Sequence, residues 1–223
     1  MFLRIGHRGA RAYAPENTLV SFKKAIQLGA NAIELDIRQT KDKKLIVFHD
    51  ENTKRLTGKD ALVKDLRLKE IKQLDINRTK IPTLEEALDF LKNKVRKILI
   101  ELKEIGFEKK VLNLIKERKL DNKAIIISFH KNALKNFRKF NKNIETGFLY
   151  VKNPNPIKTA RELKVQYLLP LYRFIHTADV EKAHENGLKI IVWTINTRRE
   201  VKEYFKKGVD GIPSDKPDIL KNL

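Results

Sequence analysis

Gly6-His7-Arg8-Gly9 follows the apolar residues Phe2, Leu3 and Ile5 directly. A histidine gains or loses a proton near neutral pH. The planar, permanently charged arginine fork matches phosphate oxygens. The same pair is also ordinary in a surface turn, so the remaining polar positions decide between the two readings. Glu34 and Asp36 alternate with Ile33, Leu35 and Ile37, which puts both carboxylates on one strand face about 7 Å apart. Glu101 and Lys103 alternate in the same way with Ile100 and Leu102. His49 ends the run Leu45-Ile46-Val47-Phe48, and Trp193 and Asn196 close the run that begins at Leu188. Singly, these residues have bland explanations: solvent-facing carboxylates, an i,i+2 ion pair, a loop histidine beside Asp50. Their recurrence at the ends of successive apolar runs favours chemistry. Three carboxylates in one cavity repel, and at least one holds a proton unless a cation sits among them. Oxygen-only donors suit a hard ion. The expectation is one divalent cation, Mg²⁺ or Ca²⁺, on Glu34, Asp36 and Glu101, polarising a phosphoryl group. Arg8 and Lys103 would take the other phosphate oxygens. His7 and His49 would serve as general acid and general base, with the order left open by spacing alone.

Residues so far apart need a scaffold that gathers the ends of separate runs. Eight apolar runs are legible, near residues 2–7, 32–38, 97–103, 124–129, 145–150, 165–169, 188–194 and 209–212. Each leads into a helical pattern. Asn17 or Thr18 caps the first helix, with Leu19, Phe22, Ala25 and Ile26 as its stripe and Gly29 as its stop. Thr83 and Glu86 form a capping box ahead of Leu84, Ala87, Leu88 and Leu91. Pro156, Thr177 and Thr197 open later helices, and Asp215-Lys216-Pro217 the last. Strict alternation predicts a parallel sheet with helices outside, and eight units predict a (β/α)8 TIM barrel spanning residues 1–223 as one domain. Residues 50 to about 82 read as a compact insertion. The alternative, an open doubly wound sheet, lacks a Gly-x-Gly-x-x-Gly loop after the first strand.

The 223 residues suffice for one large core. With no cysteine, disulfides and thiolate metal sites are excluded. The chain opens without a signal-peptide pattern, and no apolar run approaches a membrane span, so a cytoplasmic protein is expected. The formal charge of +20 favours anionic partners. The basic residues are nevertheless spread along the chain. In the densest run Lys131, Lys135, Arg138 and Lys142 share a helix face opposite Ala133, Leu134 and Phe137, which reads as a solvated surface. Abundant lysine, glutamate and isoleucine suggest a thermophile.

Several motifs together resemble those of the glycerophosphodiester phosphodiesterase family. They are Gly6-His7-Arg8-Gly9, Pro15-Glu16-Asn17-Thr18, Ile33-Glu34-Leu35-Asp36, His49-Asp50, Ile81-Pro82-Thr83-Leu84-Glu85-Glu86, Glu101-Leu102-Lys103, Ser128-Phe129, Val192-Trp193-Thr194-Ile195-Asn196 and Gly208-Val209-Asp210-Gly211-Ile212. The resemblance runs through nearly the whole chain in order. It implies a TIM barrel and metal-dependent hydrolysis of glycerophosphodiesters to an alcohol and sn-glycerol 3-phosphate, with His7 as acid and His49 as base. Pro213-Ser214 before Asp215, and Glu104-Ile105-Gly106 after Lys103, depart from the family pattern. In the family the insertion helps to shape the pocket, so its compactness here leaves the alcohol preference open. A lysophospholipase D acting on longer lipids is the alternative. It would need an apolar ramp, for which Phe129, Tyr172, Phe174 and Trp193 are the candidates; Phe129 and Trp193 are the expected substrate contacts. A basic nucleic-acid-binding barrel explains the charge but not the carboxylates, so the expected partner is a small diester. No obligatory nucleic acid is expected. Weak attraction to anionic surfaces is compatible with the charge, and the oligomeric state is left open.

Overall fold

Alternating apolar runs and amphipathic helices build a barrel. The computed structural model describes residues 2–223. Strand β1 (Leu3–His7) leads to helix α1 (Leu19–Gln27), then to β2 (Ala32–Gln39) and β3 (Leu45–Val47). The short helices α2 (Lys54–Thr57) and α3 (Leu68–Ile71) lie in the insertion, which α4 (Leu84–Leu91) follows. The chain continues through β4 (Lys97–Leu102), α5 (Glu108–Glu117), β5 (Ala124–Ser128), α6 (Lys131–Phe140), β6 (Glu145–Tyr150) and α7 (Pro156–Leu163). It ends with β7 (Tyr167–Pro170), α8 (Thr177–Glu185), β8 (Lys189–Ile190), α9 (Arg198–Lys206) and β9 (Gly211–Ser214).

Eight strands pair in parallel in the order β8-β7-β6-β5-β4-β2-β1-β9, and β3 lies antiparallel on β2. A parallel bridge between Ile191 and Gly211 brings the two ends of the sheet together, so the barrel is nearly closed. The strand periodicity of two then sorts the side chains. Leu3, Ile5, Ala32, Leu99, Ile125, Ile127, Leu149, Tyr167, Leu169 and Ile191 pack inside the barrel. Their alternates, among them Ile33, Leu35, Ile98, Ile100 and Ile126, pack outward under the helices. Gly147 leaves room inside for Leu169 and Tyr167, since an added Cβ would lie 2.4 Å from Leu169 Cδ1 and 3.0 Å from Tyr167 Cβ.

Local signals act as expected in most places. Thr18 caps α1 by accepting from the Ser21 amide at 3.2 Å. Thr83 and Glu86 form the capping box of α4. Ala133, Leu134 and Phe137 are buried under α6, as the charge pattern of that helix implied. Two elements differ. The run 188–194 forms a regular ladder only at Lys189–Ile190. Beyond it the backbone alternates between both neighbours: Ile191 donates to Leu168, Val192 to Gly211 and Trp193 to Pro170. Pro170 and Pro213 on the flanking strands have no N–H to return, which interrupts a regular ladder. The last element is a single 3₁₀ turn, Pro217–Leu220, rather than an α-helix.

The insertion has its own core. Ile46, Phe48, Val63, Leu66, Ile71, Leu74, Ile76 and Ile81 pack together on the outer side of β3. At the opposite end of the barrel, Glu145 accepts from Lys97 at 2.5 Å and lies 3.4 Å from Lys189, while the Tyr167 hydroxyl donates to it at 3.3 Å. This polar plug closes the end away from the conspicuous carboxylates.

Candidate active site

The strand ends predicted from sequence converge at one end of the barrel. His7, Arg8, Glu34, His49, Glu101, Lys103, Phe129 and Trp193 line one cavity of about 210 Å³, floored by Leu99, Ile127, Leu149, Leu169 and Pro213. Asp36 lies just behind it, fully buried. Oxygens of Glu34, Asp36 and Glu101 all lie within 4.8 Å of one another. Parallel register explains this closeness, since Asp36 on β2 pairs directly with Glu101 on β4.

Such a cluster needs positive charge. Arg8 Nε lies 3.1 Å from Asp36, and its Nη1 donates to Glu16 at 3.0 Å. Lys103 donates to Glu101 at 2.7 Å and lies 3.6 Å from Asp36. Burial, then the charges of Asp36 and Glu101, push the Glu34 carboxyl well above its ordinary range. Burial and the Asp36 charge push Glu101 up to about 7. Burial would also raise Asp36, but Arg8, Lys103, His49 and the Asn17 amide outweigh it and hold this carboxyl below its ordinary value. Glu34 Oε1 and Asp36 Oδ1 nevertheless have no hydrogen-bond partner. Buried acceptors without donors, in an all-oxygen set at this spacing, fit a hard divalent cation.

Both histidines line the same cavity, and each has its own carboxylate. His7 Nδ1 lies 2.6 Å from Asp215 Oδ1, and its Nε2 lies 4.0 Å from Glu34. His49 Nδ1 lies 2.7 Å from Asp50 Oδ1. With Nδ1 bound to a carboxylate, Nε2 is the ring nitrogen free for chemistry in each case. Burial lowers both histidine pKa values, against the opposing pull of the neighbouring carboxylates.

A supporting shell fixes these groups. Asn196 donates to Asp215 Oδ2 at 2.8 Å, and Arg11 lies 3.5 Å from Oδ1. Arg55 bridges Asp50 at 2.5 Å and Glu16 at 2.7 Å. Arg38 donates to the His49 carbonyl at 2.8 Å and to Glu104 at 2.6 Å. Asn17 donates to Asp36 Oδ2 at 2.8 Å instead of capping α1. The turn that makes this possible is tight. Arg8 has φ 53° and Asn17 φ 57°. Gly9 has φ 85°, with Ser21 atoms 2.3–2.7 Å from where a Cβ would stand. Arg8 is held there by its own amide, which donates to Glu34 at 2.9 Å.

All nine residues named from sequence are therefore gathered at one site. The apolar ramp is only half assembled: Phe129 and Trp193 meet edge to face at 5.5 Å. Tyr172 instead packs against Tyr204 and donates to Glu200, because its backbone turns outward after β7. Phe174 lines a separate groove between α7 and α8. The roles of Asp215, Glu16, Asn17 and Arg55 were missed, and Asn196 was noted at its strand end without a role. A signal existed for Asp215, which continues the inward alternation Gly211, Pro213, Asp215. None existed for Arg55.

Residues 7–219 match the model of the Glycerophosphoryl diester phosphodiesterase family. A glycerophosphodiester phosphodiesterase of Caldanaerobacter subterraneus subsp. tengcongensis is 37% identical over 235 residues, covering 99% of this chain and 97% of that one. The crystal structure of a glycerophosphodiester phosphodiesterase from Thermotoga maritima superposes with TM-score 0.82 at 31% identity, over 99% of this chain and 97% of that one. An Oleispira antarctica phosphodiesterase, solved in complex with the product sn-glycerol-3-phosphate, superposes with TM-score 0.90 at 28% identity, over 96% and 93% respectively.

Proposed function

Because the chain belongs to the glycerophosphoryl diester phosphodiesterase family, we propose that it hydrolyses glycerophosphodiesters to an alcohol and sn-glycerol 3-phosphate. The observation that carries this reading is the cluster of Glu34, Asp36 and Glu101 in one cavity with two histidines and two basic side chains. The product bound to the Oleispira relative supports the glycerol phosphate half of the substrate.

Glu34, Asp36 and Glu101 would hold one divalent cation, Mg²⁺ or Ca²⁺. The ion, when bound, polarises the phosphoryl group. Arg8 and Lys103 hold the remaining phosphate oxygens and stabilise the charge that grows on them. His49 takes a proton from the attacking water, or from a neighbouring substrate hydroxyl. A new phosphorus–oxygen bond forms on that side while the bond to the alcohol breaks on the other. His7 gives its proton to the departing oxygen, and Asp215 holds the ring in place throughout. Phe129 and Trp193 form the apolar wall of the pocket.

A second reading, action on lysophospholipids, is favoured by one feature. A groove of about 740 Å³ shares Lys103 and Phe129 with the catalytic cavity and leads outward to Ile105. A panel of glycerophosphodiesters and lysophospholipids, assayed after chelation with Mg²⁺ or Ca²⁺ restored, tests both. Glycerol 3-phosphate from the glycerophosphodiesters, or 1-acylglycerol 3-phosphate from the lysophospholipids, should appear only with the ion present. Release from no member of the panel, or full turnover in excess chelator, would refute the proposal.

A further inference from the structure

We propose that the arc of the barrel mouth from β4 to β7 is a docking surface for anionic phospholipid bilayers. Among the described residues, eight large hydrophobic side chains are exposed. Four of them stand on four consecutive loops at the mouth: Ile105 after β4, Phe129 after β5, Val151 after β6 and Phe174 after β7, exposed by 56%, 40%, 47% and 41%. The strands β4, β5, β6 and β7 are successive neighbours in the sheet, so these four loops follow one another around the rim. Ile105 and Phe129 share one groove, of about 740 Å³. Val151 and Phe174 share the next, of about 580 Å³.

Cations are interleaved with this apolar arc. Lys131, Lys152, Lys158 and Arg173 are all exposed on the same loops or the first turns after them. Lys152 Nζ lies 4.4 Å from the centre of the Phe174 ring, so charge and apolar surface are presented together. Opposing charge is sparse: Glu51 and Glu104 at one groove, with Glu104 paired to Arg38 at 2.6 Å, and Asp179 at the other. Apolar side chains that enter the headgroup layer, ringed by lysine and arginine, are the chemistry of interfacial binding to anionic lipid. The net charge of +20 adds long-range attraction but no direction. The arc supplies direction, and it sets the catalytic mouth against the bilayer.

The test does not depend on the reaction, so it fails or succeeds separately from the proposed hydrolysis. The chain has no cysteine, so single thiols can be placed at will. Ile105→Cys, Val151→Cys and Phe174→Cys are labelled with an environment-sensitive fluorophore. Phe140→Cys and Phe205→Cys, at the far ends of α6 and α9, serve as controls. With phosphatidylglycerol-containing vesicles the first three should shift to the blue and the controls should not; neutral phosphatidylcholine vesicles should leave all five unchanged. An equal shift at all five would mean adhesion by charge alone and would overturn the proposal, as would no shift at any. Vesicle sedimentation of unlabelled protein gives an independent reading. Lys152→Glu with Lys158→Glu should weaken binding at least about tenfold. Lys139→Glu with Lys142→Glu, at the other end of the molecule, should weaken it far less. Equal loss in both pairs would again overturn it.

Discussion

His7 and His49 differ in the company kept by their Nδ1 atoms. Asp215 holds one ring and Asp50 the other. If His7 is the acid, its loss matters most for a poor leaving group. His7→Ala and Asp215→Asn should each lower turnover of an unactivated diester, the first by about 10²–10⁴-fold and the second by less. Both should be substantially rescued by a diester with an activated leaving group. His49→Ala and Asp50→Asn should show no such rescue. Measuring kcat for the four variants on both substrates checks the division; equal rescue of both pairs would break it. Asp215→Asn should also leave the thermal midpoint almost unchanged, which separates a positioning residue from a structural one. The residues proposed to react were legible in the sequence because their types are unusual at strand ends. Their partners were not. Asp215 lies 208 residues from His7, and an aspartate before a proline reads locally as a helix start.

The insertion supports His49. Phe48 is buried in its core immediately before His49, and Arg38 fixes the His49 carbonyl from below. Ile71 is fully buried in the same core and does not line the cavity of the carboxylates. Ile71→Ala should destabilise the insertion by about 2–5 kcal/mol and reduce kcat. Hydrogen exchange should rise across residues 48–82 while β4 and β5 stay protected. Equal loss of protection throughout would mean that the insertion and barrel are one cooperative unit. Acid should loosen the same element. Burial would raise the Asp50 pKa, but Arg55 and His49 pull it down to about 2. A depressed carboxyl stabilises the fold above its unfolded value, near 3.8, and that contribution is lost as pH falls through about 2. Exchange in the residues around Asp50 should therefore accelerate between those values, and Asp50→Asn should remove that dependence. This small core was only half legible. Its strand and helix fragments are too short for periodicity to place, and they are organised by packing on β3.

For the molecule as a whole, the two ends of the barrel divide the labour. The polar plug at Glu145 lies away from the chemistry. Burial would raise the Glu145 pKa, but Lys97 and Lys189 hold it below the ordinary value. Its contribution is thus present above the unfolded pKa and fades in acid. The group is partly exposed to solvent, so Glu145→Gln should cost only about 1 kcal/mol. That corresponds to a thermal midpoint lower by about 2–4 °C, with kcat unchanged; a fall in kcat would show that the plug reaches the site. The barrel itself was legible because alternation of apolar runs with helices leaves few other topologies for a chain of this length. Its closing strand was not, since the prolines on both neighbours interrupt the ladder that the apolar run 188–194 promised. Closure also has a kinetic side. β1 pairs with β9, Arg4 donates to the Leu223 carbonyl at 2.9 Å, and the His7–Asp215 contact spans the same seam. Contacts of such long sequence separation carry the largest loop-closure cost and form late. The neighbouring pairs β4 with β5 and β5 with β6 need far shorter loops. In refolding, secondary structure should therefore return before turnover does, and activity should rise with the slowest structural phase. A growing chain halted before residue 215 would contain every other residue proposed for the active site and still lack the carboxylate that holds His7.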